Sequence, residues 1–423
     1  MLTNKRKLGH TEAAMYFMQK AHRGTTQVSQ YVTLSKKITE DLFKNSVRYL
    51  FDSYAPLRSI ILFDGNTCYL HESAQFEDIE IETHTLGSTE TLDQYLIDQV
   101  EISLNPEKNL WRVILVDGPQ ADEQSLLMIC HHSIIDASAL FDITKFWLTS
   151  IDEAISTGTF PSTSSQPTPP AVDEYLIENR SPRKITPLKP IPHEKIADIN
   201  ERKISTYKIL LPEDDFISQC KNEKITLNSL IVAAMSIAVS DKYEEENIPF
   251  KTAISIRDCL NTGKTKLGCY LGIGSTILQT KNKSIVEIAK EYEQKLMMDV
   301  LTNVTSRLDN NHQELNIKIE STKNFNIFYD GIGITNLGKI PIPSTYKNFA
   351  ITKFYTVVNR LAGNGEFVAQ VFIFNKIVTI DLVYVSPLVS ETRIKSVSEK
   401  MHGQFNSFIK VNEKAISSEY LTA

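Results

Sequence analysis

Residues 125–137 read Ser-Leu-Leu-Met-Ile-Cys-His-His-Ser-Ile-Ile-Asp-Ala. The first six, Ser125 to Cys130, form an apolar run of strand length. Beyond the stretch, Leu140, Ile143, Trp147, Ile151 and Ala154 recur at helical spacing. His131 and His132 therefore fall where a buried strand ends and a helix begins. Side chains at such junctions tend to face clefts, because a rigid element ends there and the chain turns outward.

The strand on one side and the helix on the other set the expectation for the whole chain, an α/β (α+β) fold. At 423 residues the chain is too long for one ordinary domain and suits two lobes. Half of its 16 prolines lie between Pro161 and Pro192, behind Thr157-Gly158-Thr159 and within a Ser/Thr-rich stretch. That composition marks a linker. The expected division is residues 1–158 as an N-terminal lobe, 159–203 as a Pro-rich linker and 204–423 as a C-terminal lobe.

Each half reads strand, helix, strand, with hairpins. In the first, Gln27–Leu34 reads as a strand and Thr39–Tyr54 as a helix. Ser59–Phe63 with Thr67–His71 reads as a hairpin, and Trp111–Val116 with Ser125–Cys130 as a strand pair. In the second, Ser205–Leu211 and Thr252–Ile256 read as strands, and Thr226–Tyr243 as a helix apolar on every side. Ser284–Leu301 opens with the capping box Ser284-Ile285-Val286-Glu287. Phe367–Phe374 and Ile377–Tyr384 form a hairpin across Asn375-Lys376, and a last helix starts after Ser390.

Hydrophobic residues make up 42% and charged residues 23% of the chain, the balance of a water-soluble protein. The formal charge is −6 and the pI about 5.9, which argues against nucleic acid as a partner. Cys68, Cys130, Cys220, Cys259 and Cys269 are odd in number and widely spaced, with no C-x-x-C, so neither a disulfide framework nor a zinc site is indicated. A reducing, cytoplasmic compartment is the simplest expectation. The basic start, Lys5-Arg6-Lys7, is followed by no apolar region of a secretory signal. The longest nearly apolar stretch, Leu230 to Val239, falls short of the roughly 20 residues that span a bilayer.

A histidine beside an apolar strand is most often a satisfied core residue. A metal site would need a third ligand, which His132 and Asp136 do not supply. A general base fits better, because imidazole titrates near neutrality and takes a proton from an attacking hydroxyl or amine. Asp136 could orient that ring directly, or could pin the loop by pairing with an arginine. Arg257 ends the strand Ala253-Ile254-Ser255-Ile256, where a buried charge needs a partner; a surface pair with Asp258 is the alternative. Gly331-Ile332-Gly333-Ile334-Thr335-Asn336-Leu337-Gly338 has the wrong spacing for a dinucleotide fingerprint, and Lys339-Ile340-Pro341 follows where that motif needs a helix. Its glycines suit a strand passing close to another chain or a ligand. Leu267 to Gly274 is a second such stretch, or simply a glycine-rich loop. There is no G-x-S-x-G elbow, no phosphate-binding loop and no Cys–His pair to argue for, so no covalent nucleophile is indicated.

His131-His132-Ser133-Ile134-Ile135-Asp136 resembles the active-site signature of the condensation-domain superfamily. That superfamily joins nonribosomal peptide condensation domains, plant-type acyltransferases and free-standing polyketide-associated O-acyltransferases. Further landmarks follow in order: Arg6 to Glu12, Pro56-Leu57-Arg58-Ser59, Trp111-Arg112-Val113, Asn228-Ser229-Leu230, Ile256 to Leu260, and Thr335-Asn336-Leu337-Gly338. The resemblance implies two lobes like chloramphenicol acetyltransferase, set in a V around a tunnel open on both faces. It implies that His132 is the catalytic base, that His131 supports the loop, and that Asp136 is structural and bonded to Arg257. It puts Thr335 and Asn336 near the oxyanion or substrate. Glycine is the family residue after the aspartate, and here Ala137 stands in its place, which implies a narrowed tunnel.

The expected function is an acyltransferase in lipid, polyketide or other natural-product biosynthesis. It moves an acyl group from an acyl carrier protein or acyl-CoA thioester to a small-molecule alcohol or amine, with no metal and no cofactor. A free-standing condensation enzyme forming an amide is the first alternative; a degenerate scaffold that binds a carrier protein is the second. A monomer is expected. Lys20-Ala21-His22-Arg23 is a local basic patch that could dock an acidic carrier protein.

Overall fold

In the computed structural model, residues 5–118, 123–176, 189–243, 247–257, 267–306, 308 and 311–409 are described. Asp258, Cys259 and Leu260, named above, lie outside them. The first half runs β1 (Lys5–Lys7), α1 (His10–Ala21), β2 (Val28–Leu34), α2 (Glu40–Ser53), β3 (Ser59–Phe63), β4 (Cys68–Glu72), β5 (Glu80–Thr85), α3 (Leu92–Val100), β6 (Trp111–Asp117), β7 (Gln124–Cys130) and α4 (Ala137–Thr157). After the linker come β8 (Ile191–Pro192), β9 (Lys203–Pro212), α5 (Glu213–Glu223), α6 (Leu227–Val239), β10 (Asn247–Ser255), β11 (Leu271–Gln279) and α7 (Ile285–Asp299). A π-helical turn, Val300–Val304, precedes α8 (His312–Ser321), β12 (Ile327–Phe328), β13 (Ile332–Lys339), β14 (Ile351–Val358), β15 (Val368–Phe374), β16 (Ile377–Ser386) and α9 (Glu391–Ile409).

Two large sheets carry the molecule, ordered β14-β2-β7-β6-β5 and β11-β10-β13-β15-β16-β9. β2 and β7 are buried along their whole length. In β7 this is why Leu126 to Cys130 is a continuous apolar run where a half-exposed strand would alternate, while β2 buries Ser29, Gln30 and Thr33 by hydrogen-bonding their side chains. In the second sheet β10, β13 and β15 run parallel. β15 and β16 are the hairpin expected across Asn375-Lys376. Both turn residues have positive φ, 48° and 64°, the twist that matches a two-residue hairpin loop to its strands. Helix α6 is apolar all round because it is enclosed all round; Leu230 to Met235 are wholly buried. The capping box at Ser284 and Glu287 closes the start of α7 as expected.

The sheets do not divide where the linker does. β14 belongs to the second half of the sequence but forms the edge of the first sheet, antiparallel to β2, from Ile351↔Leu34 to Val358↔Val28. Ile340, Ile342, Phe349, Phe354 and Leu361 sit in the core of the first lobe with it. The imidazole Nδ1 of His312, at the start of α8, accepts a hydrogen bond of 2.9 Å from the Cys68 backbone N–H. A strand's sequence records its own alternation, not which edge it joins, so the linker suggested a cleaner partition than the fold has.

The linker itself is tied down where it is described. Gln166 exchanges backbone hydrogen bonds with Ser53 and Ala55. The Asp173 carboxylate accepts from the His10 N–H. A Cβ at Gly9 would come within 1.9 Å of the Asp173 Oδ2 and displace this carboxylate. Val172 packs with Ile256 and Tyr270 in a small separate cluster, bracing the segment that carries Arg257. No single helix among the described residues is long and apolar enough to cross a membrane.

Candidate active site

The motif loop is held from several sides. His131 is fully buried. Its Nδ1 accepts 3.1 Å from the Ser133 N–H, and its backbone N–H donates 2.8 Å to the Leu110 carbonyl. Burial lowers its pKa to about 3, so the ring is a neutral strut. The Ser133 hydroxyl donates 2.6 Å to the Glu12 carbonyl on α1. The Glu12 carboxylate is clamped by Arg6 through two bonds of 2.8 Å. This accounts physically for Arg6 and Glu12 as landmarks: they fix the helix on which the motif loop leans.

Asp136 makes no bond to His132. It caps α4, accepting 3.0 Å from the Ala139 N–H. Its other oxygen accepts 2.9 Å from the Tyr270 N–H and is paired with the Arg257 guanidinium. Of the two roles left open for Asp136, pinning the loop through an arginine is the one the geometry shows. Arg257 also donates 3.1 Å to the Gly268 carbonyl and lies over the Tyr270 ring at 4.8 Å. The Gly268 carbonyl in turn receives the Asp136 N–H at 3.2 Å. Gly268 holds φ 142°, and a Cβ there would meet the Tyr270 ring at 2.5 Å. The stretch Leu267 to Gly274 is therefore a close approach: Gly268 against the motif loop, then Gly272 and Gly274 against Val304 and Leu296.

His132 lines a cavity of about 100 Å³ between the halves, with Met15, Thr26 and Val28 on one side and Ala253, Thr335 and Gln370 on the other. Its Nδ1 lies 3.8 Å from the Cys269 Sγ, so a cysteine does sit beside the histidine. The sequence offered no sign of it, because the two are 137 residues apart. Burial pushes the Cys269 thiol well up, which makes it a neutral hydrogen-bonding neighbour of Nδ1 and not a nucleophile. Nε2, the other ring nitrogen, has no protein partner among the described residues. Burial lowers the His132 pKa below the ordinary imidazole value; Asp136 and the carbonyls of His132 and Ile135 oppose this, and Arg360 adds to it. The ring is thus neutral at physiological pH.

A second cavity, about 260 Å³, adjoins the first. Ala137, Phe141, Ala253, Leu271, Thr335 and Leu337 line both. Ala137 is the first residue of α4, so its backbone has ordinary helical torsions and only its methyl group distinguishes it from glycine. Asn336 lines the second cavity and not the one at His132. Its amide is engaged, donating 3.2 Å to Asn228 and accepting 2.9 Å from the Gly338 N–H. The Thr335 hydroxyl makes no side-chain hydrogen bond among the described residues. A third cavity, about 380 Å³, is walled by Pro249, Lys251, Ser275, Ile277 and Asp330 among others. Register orders the three: Ser255↔Leu271, Ala253↔Ile273, Lys251↔Ser275 and Pro249↔Ile277 point to one face of β10–β11. The cavities follow one another over about 20 Å of that face, with His132 in the middle.

Lys20-Ala21-His22-Arg23 is not a basic surface patch. Ala21 and His22 are buried, His22 Nε2 is 3.0 Å from the Thr322 hydroxyl, and Arg23 is paired with Glu101 at 3.0 Å. The tetrad ends a helix and turns inward, leaving Lys20 alone exposed.

No protein-family model matches the sequence, and no curated protein matches it. Solved structures do. Polyketide synthase associated protein 5 from Mycobacterium tuberculosis superposes with a TM-score of 0.66 at 14% identity, over 94% of this chain and 97% of that one. TRI3 trichothecene 15-O-acetyltransferase from Fusarium sporotrichioides gives 0.71 at 12%, over 96% and 95%. The starter condensation domain of rhizomide synthetase RzmA, a variant in complex with C8-CoA, gives 0.65 at 10%, over 96% and 94%. At these identities the likeness establishes the fold. The chain has the two-lobed α/β fold shared by condensation domains and chloramphenicol-acetyltransferase-like acyltransferases, over nearly its whole length.

Proposed function

We propose that this protein is an acyltransferase that passes an acyl group from a thioester to an acceptor hydroxyl, with His132 as the general base. The observation that carries the reading is the placement of His132. It is a neutral imidazole whose Nδ1 faces Cys269 and whose Nε2 has no hydrogen-bond partner among the described residues. It stands in a cavity lined from both halves of a condensation-type fold, with a further cavity of the second half along the same sheet face. A base there meets a donor arriving from one side and an acceptor from the other.

In the step envisaged, the acceptor oxygen attacks the thioester carbonyl carbon while His132 Nε2 takes its proton. The oxyanion that forms draws on the Thr335 hydroxyl. When the carbonyl re-forms, the C–S bond breaks and the imidazolium returns the proton to the departing sulfur. Holding both substrates in one narrow site supplies much of the rate, since effective concentrations of about 10⁵ M or more come from orientation alone. The donor thioester is carried by coenzyme A or a carrier protein. A cytoplasmic place in natural-product assembly, without a metal or resident cofactor, completes the proposal.

The test is release of free thiol from acyl-CoA and acyl-carrier-protein donors in the presence of a panel of alcohols and amines, with the product identified by mass spectrometry. Release should require an acceptor and be lost in His132→Ala. An amide in place of an ester would change the acceptor class and leave the mechanism standing. No release with any donor overturns the reading in favour of a binding scaffold.

A further inference from the structure

The cavity at His132 contains a charge that the acyl-transfer step above does not use. Arg360 lines it, close enough for its cation to act on His132. Among the described residues its guanidinium has neither a hydrogen-bond acceptor nor an ion-pair partner. Among the described residues, other arginines withdrawn from water have partners: Arg6 on Glu12, Arg58 on Glu72, Arg257 on Asp136, Arg393 on Glu366, Arg112 on the Gln99 carbonyl, and Arg202 on the carbonyls of Ala197, Leu361 and Ala362. The carboxylate whose field reaches Arg360 is Asp330, which is already hydrogen-bonded by Asn364 and lies 3.7 Å from Lys251.

The position of Arg360 is also firmly set. Asn359 before it is anchored by its side chain to the carbonyls of Arg23 and Val100 at 3.2 and 3.0 Å, and by its own N–H to Gln27 at 2.9 Å. The Arg360 carbonyl accepts 2.9 Å from the Gly363 N–H. Gln370 is buried on the same cavity wall, beside Thr335 in register, and its amide, like the Thr335 hydroxyl, has no side-chain partner among the described residues. One fixed cation and two neutral polar groups thus face a small cavity with their hydrogen-bonding capacity unspent.

We propose that this cavity takes a substrate bearing a carboxylate, bound by Arg360 and flanked by Gln370, with its reacting group at His132. The planar guanidinium matches a carboxylate through two parallel hydrogen bonds. A single arginine in a cavity of about 100 Å³ suits a carboxylate better than a bulkier phosphate. Binding gives an unpaired, half-buried cation a charge-assisted partner. The proposal rests on the reading of His132 as the base for what happens next, but the binding itself does not. The carboxylate belongs either to the acceptor or to the acyl group of the donor.

The experiment has a binding arm and a transfer arm. In the first, calorimetric titration compares short ω-hydroxy acids with their primary amides. The parent should bind acid over amide by about tenfold or more, the scale of a charged hydrogen bond. The ratio should fall to near one in Arg360→Gln and be partly kept in Arg360→Lys. In the second, thiol release is compared for the same acceptor pairs with butyryl-CoA, and for succinyl-CoA against butyryl-CoA with a neutral alcohol. The arm that shows acid preference identifies the source of the carboxylate. Equal treatment by the parent of acid and amide and also of succinyl- and butyryl-CoA, or an acid preference unchanged in Arg360→Gln, overturns the proposal. Acid-selective binding that depends on Arg360 without thiol release keeps the carboxylate site and removes the acyltransferase reading. Transfer without acid preference does the reverse. Should Arg360→Gln fail to fold, the parent ratio and the lysine variant still decide.

Discussion

Replacing Asp136 by alanine tests how the two halves are held at the motif. The carboxylate accepts from the Ala139 N–H, the Tyr270 N–H and the Arg257 guanidinium. Losing the helix cap costs about 1 kcal/mol. Leaving the buried Tyr270 N–H without an acceptor costs about 1–3 kcal/mol, and an unpaired buried cation about 3–5 kcal/mol. These overlap. The Arg257 side chain is 16% exposed and keeps the Gly268 carbonyl, so the arginine contribution is the one to discount. A total of about 3–5 kcal/mol remains. Unfolding entropy of about 2.1 cal/mol/K per residue over 423 residues gives about 0.9 kcal/mol/K, so Tm should fall by about 3–6 °C. Arg257→Ala should cost less, because Asp136 then retains two N–H donors. That asymmetry is specific to the geometry. Calorimetry measures Tm, and hydrogen exchange should show faster exchange at Tyr270 and Ala139 in Asp136→Ala. Variants that both melt like the parent, or an Arg257→Ala worse than Asp136→Ala, would refute the reasoning.

His132→Ala should lose about 10²–10⁴ in turnover while melting like the parent; His131→Ala should show the opposite bias, losing stability more than rate, and paired activity and melting measurements separate them. Because burial lowers the His132 pKa from 6.5, the acid limb of kcat/KM should lie below pH 6.5, which a pH profile reads directly. Ala137→Gly should preserve or raise thiol release and widen the range of acceptors, since Ala137 lines both neighbouring cavities; a narrower range would mean that the methyl group positions the acceptor. Stability should fall on acidification. His131 is lowered to about 3, and His22 and His312 to about 4, chiefly by burial, so as pH drops below 6.5 the unfolded chain takes up protons first. The contribution is complete above pH 6.5 and is lost towards pH 4, at about 2 kcal/mol per histidine by pH 5. Denaturant titrations at pH 7 and 5 measure it, and a flat profile would show that these rings are not held neutral.

Local order settled a good deal by itself. Apolar run, histidine pair and helical spacing placed the strand end and the helix start around residues 125–154, and the caps at Ser284 and the turn at Asn375 were equally legible. These depend on near neighbours in the chain. The signature His131 to Asp136 also singled out the histidine that lines the cavity, and the strand end at Arg257 suggested a partner for Asp136. What joined the first sheet from the second half was not legible: β14 carries no mark of its pairing with β2, since hydrogen-bonding edges are alike in every strand. Nor were Cys269 and Arg360 legible as neighbours of His132, because neither has a local pattern and each arrives from a distant segment. The basic tetrad at Lys20 looked available only because sequence does not show burial. Composition and periodicity fix what a segment can be; which groups share a low-dielectric cavity, and so which charges remain unpaired, is decided only when distant strands close over it.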